Sequence, residues 1–274
     1  MATHRFLLLP VLFAMAACQH AATPAPPAPN VLLLGETHDN ADGHRLRLRH
    51  LQVRVDAGWR PAIAMEQFDR EQQPALDAAM RDCADADCVV ARMITAKSGW
   101  NWTFYKPVVA LALQYRLPLL AANLSRADAG KVVKAGFAVA LSPDVRNRYD
   151  IDAALPAALL AAQVEEVRTG HCNMLPAAML EPMARAQIAR DVLMAEAMRP
   201  YLERGVVLIA GNGHVRRDIA VPYWLRAQGV ANWSVGYLEQ RAAEAEFDAQ
   251  HAIPPIKRPD ACAGVGNIKG KGAG

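Results

Sequence analysis

Polar side chains suited to acid–base or metal chemistry follow four apolar runs of the chain. Glu36 and His38 follow one run, and Glu66, Asn123 and His214 follow three others. Two imidazoles and two carboxylates could hold a transition metal, or act as a general base with an orienting partner. A lone histidine at such a position is more often structural. Two Gly-x-x-His turns with two carboxylates favour a shared functional site.

The apolar runs before these residues are short and alternate with longer helical patterns. Strands are predicted at 30–34, 62–65, 118–122, 138–141, 206–210 and 233–238. Helices are predicted near 42–57, 71–96, 103–115, 125–135, 153–169, 177–203 and 215–228. This alternation predicts an α/β fold, with a mainly parallel sheet flanked by helices and an inserted helical subdomain at about 142–203. Ligands of such sheets bind where the strands end, so the polar residues should converge.

A second candidate is an aromatic segment in a chain that is only 6% aromatic. Trp100, Trp102, Phe104 and Tyr105 fall within six positions. They either anchor a helix that begins near Thr103, or form a flat apolar surface that stacks a planar ligand. In the second case Tyr105 offers a phenolate, which is an accepted ligand of haem iron.

A third candidate is one face of a predicted helix, which carries Met183, Gln187, Arg190, Asp191, Met194 and Met198. Methionines at this spacing usually fill a core. Buried polar side chains need partners, so either Arg190 faces a carboxylate or propionate, or this face borders solvent. His171, beside Cys172, is either a further ligand or a loop residue held by a disulfide. His44 could support the strand-end site.

The first residues predict export. Residues 1–17 have a basic residue and an apolar run too short to span a membrane, as in a signal peptide. Met15–Cys18 resembles a lipobox, so Cys18 is expected to be lipidated, with 18–29 as an Ala/Pro-rich tether; cleavage to a soluble periplasmic protein is the alternative. Gln19 favours an outer-membrane anchor facing the periplasm. Residues 30–248 form the predicted domain and 249–274 an extended or disordered tail.

Export makes the remaining cysteines informative, because disulfides persist in oxidising compartments. They are even in number: Cys83, Cys88, Cys172 and Cys262. Cys83 and Cys88 could close a local loop and Cys172 and Cys262 could pin the tail, although three pairings are open. A zinc site is less favoured, because no paired C-x-x-C spacing is present.

The net charge of the chain is +3, and the position of the charged residues argues against a polyanionic partner. The surplus comes from the leader and the last nineteen residues, which leaves the body at about −1. A body near neutrality lacks the basic surface that nucleic-acid binding requires.

Seven segments together resemble the ChaN-like haem-binding lipoprotein family of the Tiki and erythromycin-esterase-like superfamily. They are LLLGETHDN at 32–40, AMEQF at 64–68, WNWTFYKP at 100–107, LLAANLSR at 119–126, GHCNMLP at 170–176, AQIARDVLMA at 186–195 and LIAGNGHVRRDIAVP at 208–222. The resemblance implies a haem-binding envelope lipoprotein of iron uptake or storage. It also implies envelope uptake components as partners, and leaves open a homodimer that encloses stacked haems.

The resemblance assigns the axial-ligand role to Tyr105, which lies in a matching segment. Other residues expected at the haem are Trp100, Trp102, Asn123, Met183, Arg190 and Met194. Related proteins of the superfamily are hydrolases, some with a divalent metal, and here Glu36, His38, Glu66 and His214 would be the catalytic or metal-binding residues. Hydrolysis is the alternative function, and haem binding without enzymatic activity is the favoured expectation.

Overall fold

Most of the strands are short apolar runs buried on both faces of one sheet, as expected for parallel strands covered by helices. The computed structural model describes residues 30–94, 99–153, 155–260 and 262–263. Its strands are β1 (Val31–Leu34), β2 (Ala62–Asp69), β3 (Leu119–Asn123), β4 (Val206–Ile209), β5 (Trp233–Leu238) and β6 (Ala249–Ala252). They pair in the order β3-β2-β4-β1-β5-β6, and every pairing is parallel. The predicted α/β fold is therefore confirmed.

The helices begin where polar side chains can satisfy the first free amides. Asn40 accepts from the amides of Asp42 and Gly43, and Ser125 accepts from that of Asp128. The helices are α1 (Ala41–Asp56), α2 (Gln73–Asp82), α3 (Ala86–Met93), α4 (Lys106–Tyr115), α5 (Arg126–Ala135), α6 (Pro143–Arg148), α7 (Ala157–Gly170), α8 (Ala177–Met198) and α9 (Val221–Ala227). α5 to α8 all lie between β3 and β4, and α6 to α8 fall within 142–203, the range of the predicted helical insertion. A separate subdomain there stays a prediction.

Alternating side chains of the strands feed two cores, one on each face of the sheet. In β1, Leu33 belongs to the core shared with α5, α7, α8 and α9, whereas Leu32 belongs to the core shared with α1 to α4. Met194 lies in the first core and Tyr105 in the second. The site therefore receives residues from both layers.

The strand order creates a crossover point at the middle of the sheet. The chain leaves β1, builds β2 and β3, and later returns to insert β4 between β2 and β1. Leu34 and Met65 both pair in register with Ile209, so the residues that follow these three strands emerge at the same level. This edge is where ligands of open α/β sheets bind.

Three segments differ from the sequence prediction. The single helix predicted near 71–96 is divided into α2 and α3, and Cys83 and Asp85 between them have extended backbone. Residues predicted as a strand at 138–141 overlap a 3-10 helix at Phe137–Val139, because Phe137, Ala140 and Leu141 pack on the face of the sheet. Residues 249–252, predicted as the start of a tail, form β6 at the edge next to β5. This strand is defined by its backbone pairing with β5. Its side chains show no apolar alternation from which it could be predicted.

The structure pairs Cys83 with Cys88 and Cys172 with Cys262. The predicted signal peptide, Cys18 and the tether at 18–29 lie outside the described residues. Within the part of the chain that the structure describes, no helix is long and apolar enough to cross a membrane.

Candidate functional site

The structure brings the two Gly-x-x-His turns, which follow β1 and β4, next to Glu66 of the neighbouring strand β2. The amide of Gly211 donates to Glu66 Oε2 over 2.8 Å, which joins the ends of β4 and β2. A Cβ at Gly211 would lie 2.9 Å from His38 Cε1 and 3.0 Å from His38 Nε2, so the His38 ring sits directly against this turn. His214 Nε2 lies 3.6 Å from Glu66 Oε1. His214 therefore faces Glu66 directly, and His38 lies against the turn whose amide binds Glu66.

Glu36 is a buried hub rather than an open catalytic carboxylate. Its Oε1 accepts from Tyr105 Oη at 2.5 Å, His38 Nδ1 at 2.8 Å and Gln67 Nε2 at 3.3 Å. Its Oε2 forms an ion pair with Arg47, and both residues are almost wholly buried. A buried carboxylate needs such compensation to remain charged.

Burial shifts the pKa values of the groups around Glu36. It lowers the pKa of Arg47 to about 10, which still leaves the guanidinium charged at neutral pH. Burial also raises the pKa of Tyr105, and the nearby Arg47 charge only partly opposes it. Tyr105 is therefore a neutral phenol whose hydroxyl donates a hydrogen bond to Glu36.

His44 supports the loop that carries His38. Its Nε2 donates to the His38 carbonyl over 3.0 Å, and its Nδ1 accepts from Arg47 Nη2 over 2.9 Å. Burial lowers the pKa of His44, so the neutral ring with a proton on Nε2 fits both contacts. The supporting role predicted for His44 agrees with these bonds.

A second histidine–carboxylate pair forms between β4 and α8. His214 Nδ1 and Asp191 Oδ1 are 2.6 Å apart, and Gln163 Nε2 donates to Asp191 Oδ2 over 3.3 Å. Burial raises the pKa of Asp191 to about 6, although His214 counteracts it. Burial alone would lower the pKa of His214, but the carboxylates of Glu66 and Asp191 outweigh it and raise that pKa.

Asn123 and Arg190 meet beside the two histidine pairs. Asn123 Nδ2 donates to Asp69 Oδ1 over 2.9 Å, and Arg190 Nη1 donates to Asn123 Oδ1 over 2.7 Å. Burial raises the pKa of Asp69, while the bond from Asn123 opposes the shift. Arg190 thus contacts an amide at the end of β3, where the sequence predicted a carboxylate or a propionate as its partner.

The aromatic segment packs inward against the histidines. Trp100 meets the His38 ring edge-on with centroids 5.0 Å apart, and Phe104 stacks on His44 at 4.6 Å. Trp102 is 8% exposed and Tyr105 is 0% exposed. Haem ligation by Tyr105 stays a prediction, and it requires the phenol to leave Glu36 and reach solvent.

A cavity of about 300 Å³ opens next to the second pair, between α7, α8 and the turn after β4. His171, Gln163, Gln187, Asp191 and His214 contribute to its wall. Of the predicted haem contacts on α8, Met183 is half-buried near α7, whereas Met194 is fully buried in the core. Contact between Met194 and a ligand would require that core to open.

The divalent metal that the sequence left open is not supported. Among residues 30–94, 99–153, 155–260 and 262–263, no group of three or more His, Cys, Asp or Glu side chains is arranged to hold a metal ion. Glu36, His38, Glu66 and His214 are close together, but protein donors already occupy the carboxylates. Arg47 and Tyr105 hold Glu36, and the Gly211 amide holds Glu66.

Sequence reasoning missed the groups that orient the histidines. Arg47 and Gln67 carry no motif, although Arg47 lies one helical turn after His44 and therefore on the same face of α1. Asp191 was noticed only as a polar residue on the methionine-bearing face. That position was the available signal, because a buried carboxylate requires a partner.

Fold and site together define an α/β protein with histidine–carboxylate pairs at adjacent strand ends. The chain belongs to the family described as haem-binding uptake, Tiki superfamily, ChaN, whose model matches residues 27–225. This confirms the resemblance seen in the sequence. A search of curated proteins found no match.

A search of solved structures found matches at low sequence identity. The ChaN of Campylobacter jejuni, described for its cofacial heme binding, is 19% identical with a TM-score of 0.66, and the match covers 80% of this chain and 86% of that chain. A Bacillus cereus protein is 12% identical with a TM-score of 0.42, covering 76% and 65%. An erythromycin esterase mutant in its open conformation is 12% identical with a TM-score of 0.44, covering 76% and 70%. At 19% identity, the likeness to the Campylobacter jejuni protein establishes the fold alone.

Proposed function

We propose that this chain binds haem and serves in haem or iron uptake or storage at the bacterial envelope. The observation that carries the proposal is the match of the haem-binding uptake family over residues 27–225. The similar Campylobacter jejuni ChaN, described for cofacial heme binding, supports the same ligand. A body near neutral charge suits an amphipathic ligand of this size better than a polyanion.

The cavity beside His214 supplies donors for haem iron but little apolar surface, because its wall is mostly polar and Val167 and Ile219 are its aliphatic residues. Haem needs an apolar surface for its macrocycle and a nitrogen, sulfur or oxygen donor for its iron. The cavity wall supplies two imidazoles, His171 and His214. Met174, between α7 and α8, and Met179, in the first turn of α8, are 41% and 38% exposed and give polarizable apolar surface. When bound, haem would supply an iron centre and its redox chemistry.

A hemin titration tests the proposal. The purified mature chain is titrated with hemin while the Soret region is followed, with apo-protein and buffer as references. We expect saturable binding at a fixed stoichiometry, and sedimentation of the loaded protein would report a homodimer if one forms. Absorption that rises linearly with added hemin and never saturates would reject haem binding.

The envelope location rests on residues 1–17 and Cys18, and is part of the proposal. We expect the full-length chain expressed in a Gram-negative host to incorporate labelled palmitate and to fractionate with the outer membrane. Cys18→Ser should abolish the label and release the protein into the soluble fraction. A wild-type chain that remains unlabelled would contradict lipid anchoring.

A second function is favoured by the two histidine–carboxylate pairs. Glu36 orients His38 and Asp191 orients His214, and His214 faces Glu66, so a His-dependent hydrolysis has the required general base and orienting groups. An esterase and peptidase screen of wild type, His38→Ala and His214→Ala tests it. Equal hydrolysis in all three proteins would show that neither His38 nor His214 is catalytic.

A further inference from the structure

We propose that the edge of the sheet at which the strands begin rests on an anionic lipid surface. This proposal builds on the lipid anchor proposed at Cys18 and concerns which side of the domain faces the bilayer. Every strand pairing is parallel, so all six strands begin at this edge and end at the edge that carries the histidines. The candidate site therefore lies on the opposite side of the domain.

The chain enters the domain at the edge where the strands begin. Asn30 is exposed and directly precedes β1, and its carbonyl accepts from the amide of Val206 at the start of β4. Residues 18–29 connect the proposed anchor to Asn30. Twelve residues reach about 40 Å at most, even when fully extended. An anchor at Cys18 therefore holds the domain by this edge.

Four arginines gather around the entry point and form a surface that we call the basic edge: Arg54, Arg60, Arg116 and Arg204. They come from the end of α1, the segment before β2, the end of α4 and the segment before β4. Arg204 Nε donates to the carbonyl of Arg60 over 2.9 Å, which joins two of these segments. Two exposed carboxylates, Asp56 and Glu203, lie beside them, so four arginines against two acids leave a local charge of +2.

The arginines of the basic edge differ from other arginines in having no carboxylate partner. Among the described residues, none of the four forms an ion pair, whereas Arg45, Arg70 and Arg241, which follow the ends of strands, are each paired with an acidic side chain. A guanidinium keeps its charge and presents several N–H donors that match the oxygens of a phosphate. Unpaired guanidinium groups at one edge therefore suit the phosphates of lipid headgroups.

Aromatic rings support these arginines and suit the same surroundings. The guanidinium of Arg60 lies 4.8 Å from the centroid of the Tyr115 ring, and that of Arg54 lies 5.9 Å from the Trp59 centroid. Trp233, at the start of β5, is 42% exposed. Tyrosine and tryptophan are enriched at the boundary between a bilayer and water, where one end of the ring is apolar and the other is wet.

This placement has a consequence for the candidate site. With the basic edge on the bilayer, the strand ends that carry His38 and His214 point away from the membrane. The site is then open to ligands that arrive through the aqueous phase, while the anchor and the arginines hold the other edge.

Vesicle binding tests the basic edge without the anchor. The mature chain with Cys18→Ser is sedimented with vesicles of phosphatidylcholine alone, and with vesicles that also contain phosphatidylglycerol, at low and high salt. We expect binding only when phosphatidylglycerol is present, and its loss at high salt, because salt screens exposed charges. Arg60→Gln/Arg116→Gln/Arg204→Gln should weaken lipid partitioning by about fivefold for each arginine removed.

Two matched variants control for fold and total charge. Arg45→Gln/Arg70→Gln/Arg241→Gln removes the same charge at the opposite edge and should bind as wild type does. Arg60→Lys/Arg116→Lys/Arg204→Lys keeps the charge and should keep most of the binding. Thermal unfolding of each variant checks its fold. Equal binding of wild type to both kinds of vesicle, or equal weakening in both glutamine variants, would overturn the proposal.

Hydrogen exchange of the vesicle-bound Cys18→Ser chain tests the orientation. Amides near Arg60, Arg116 and Arg204 should exchange more slowly on phosphatidylglycerol vesicles, and those of 36–40 and 211–214 should not change. Slowing at 36–40 and 211–214 instead would overturn the proposal. If the wild-type chain takes up no palmitate but Cys18→Ser still binds vesicles through the basic edge, the anchor is contradicted and this surface stands.

Discussion

The hydroxyl of Tyr105 donates to the buried carboxylate of Glu36 over 2.5 Å. Hydrogen bonds to charged groups contribute about 1.5–3 kcal/mol each. Tyr105→Phe should therefore lower the free energy of unfolding by roughly that amount, measured by urea denaturation. Tyr115→Phe is the matched control, because the Tyr115 hydroxyl bonds Asp56 on an exposed surface. Equal losses in both variants would show that the Glu36 contact has no special weight.

The His214–Asp191 pair predicts a measurable pH dependence. An NMR titration should find the His214 pKa above its ordinary value, since Glu66 and Asp191 outweigh the opposing effect of burial. Asp191→Asn should move that pKa downward. Asp128→Asn, far from His214 on α5, should leave it unchanged. A His214 pKa that does not respond to Asp191→Asn would contradict the pairing.

The same pKa shifts determine how stability changes with pH. Both groups bind protons more tightly in the folded chain, so both favour folding at low pH and lose this contribution as the pH rises. For Asp191 the loss falls between pH 3.8 and about 6, where burial has moved its pKa. For His214 the contribution is complete below 6.5 and disappears as pH passes the raised folded-state value. The free energy of unfolding, relative to Asp191→Asn, should fall across these intervals.

At the scale of elements, the end of β1 depends on a glycine with no room for a side chain. A Cβ on Gly35 would lie 2.2 Å from Asn212 Oδ1 and 2.9 Å from Val215 Cγ2. Asn212 cannot yield freely, because Tyr237 donates its amide to Asn212 Oδ1 and accepts from Nδ2 through its carbonyl. Overpacking of this kind costs about 1–3 kcal/mol, so Gly35→Ala should unfold at lower urea concentration.

Gly213→Ala, in the other Gly-x-x-His turn, serves as the control, since nothing lies within 4 Å of a Cβ there. Its effect should stay within about 0.5 kcal/mol. If both variants lose the same stability, the cost arises from the glycine-to-alanine change itself and the contact with Asn212 plays no part.

Elements were predictable from sequence where side chains alone determine them. β1, β2, β3, β4 and β5 are apolar runs, and the structure places each within a few residues of its predicted position. The run at 138–141 is equally apolar, but it packs on the face of the sheet. A short apolar run does not by itself show whether it joins the sheet as a strand or packs against the sheet. β6 has no apolar signal, because its place depends on hydrogen bonds to β5.

The convergence of the strand-end residues was predictable from the sequence, whereas the side chains that orient them were not. A parallel sheet brings the residues after its strands to one edge, which is why Glu36, His38, Glu66 and His214 meet. Arg47 and Asp191 come from helices, whose rotation about their axes depends on packing across the whole core. The inward direction of Tyr105 likewise follows from packing, and a motif does not encode it.

At the scale of the whole molecule, the C-terminal segment ties the two sides of the site together. Arg258 forms ion pairs with Asp39 and Glu239, and Asn40 donates to the carbonyl of Pro254. A few residues later Cys262 is bonded to Cys172, beside His171. The segment therefore runs from the loop that follows β1 to the turn that follows α7.

This long connection should dominate the contribution of disulfides to stability. A disulfide restricts the unfolded chain more when it closes a longer loop. Cys172 and Cys262 are 90 residues apart, whereas Cys83 and Cys88 are separated by 5. In the chain-entropy description, loops of these sizes correspond to about 4–5 and about 2 kcal/mol. The free energy of unfolding should therefore decrease, relative to wild type, about twice as much in the Cys172→Ala/Cys262→Ala double variant as in Cys83→Ala/Cys88→Ala.

Guanidinium unfolding of both double variants and wild type under non-reducing conditions measures the difference. An additional variant, Arg258→Ala, separates the ion pairs from the covalent bond, and exposed ion pairs of this kind contribute only about 0–1 kcal/mol. A larger loss from the short loop than from the long one would mean that the unfolded chain keeps Cys172 near Cys262 without the bond. The C-terminal segment would then hold its place through the contacts of Arg258 and Asn40, and the turn at His171 would not depend on Cys262.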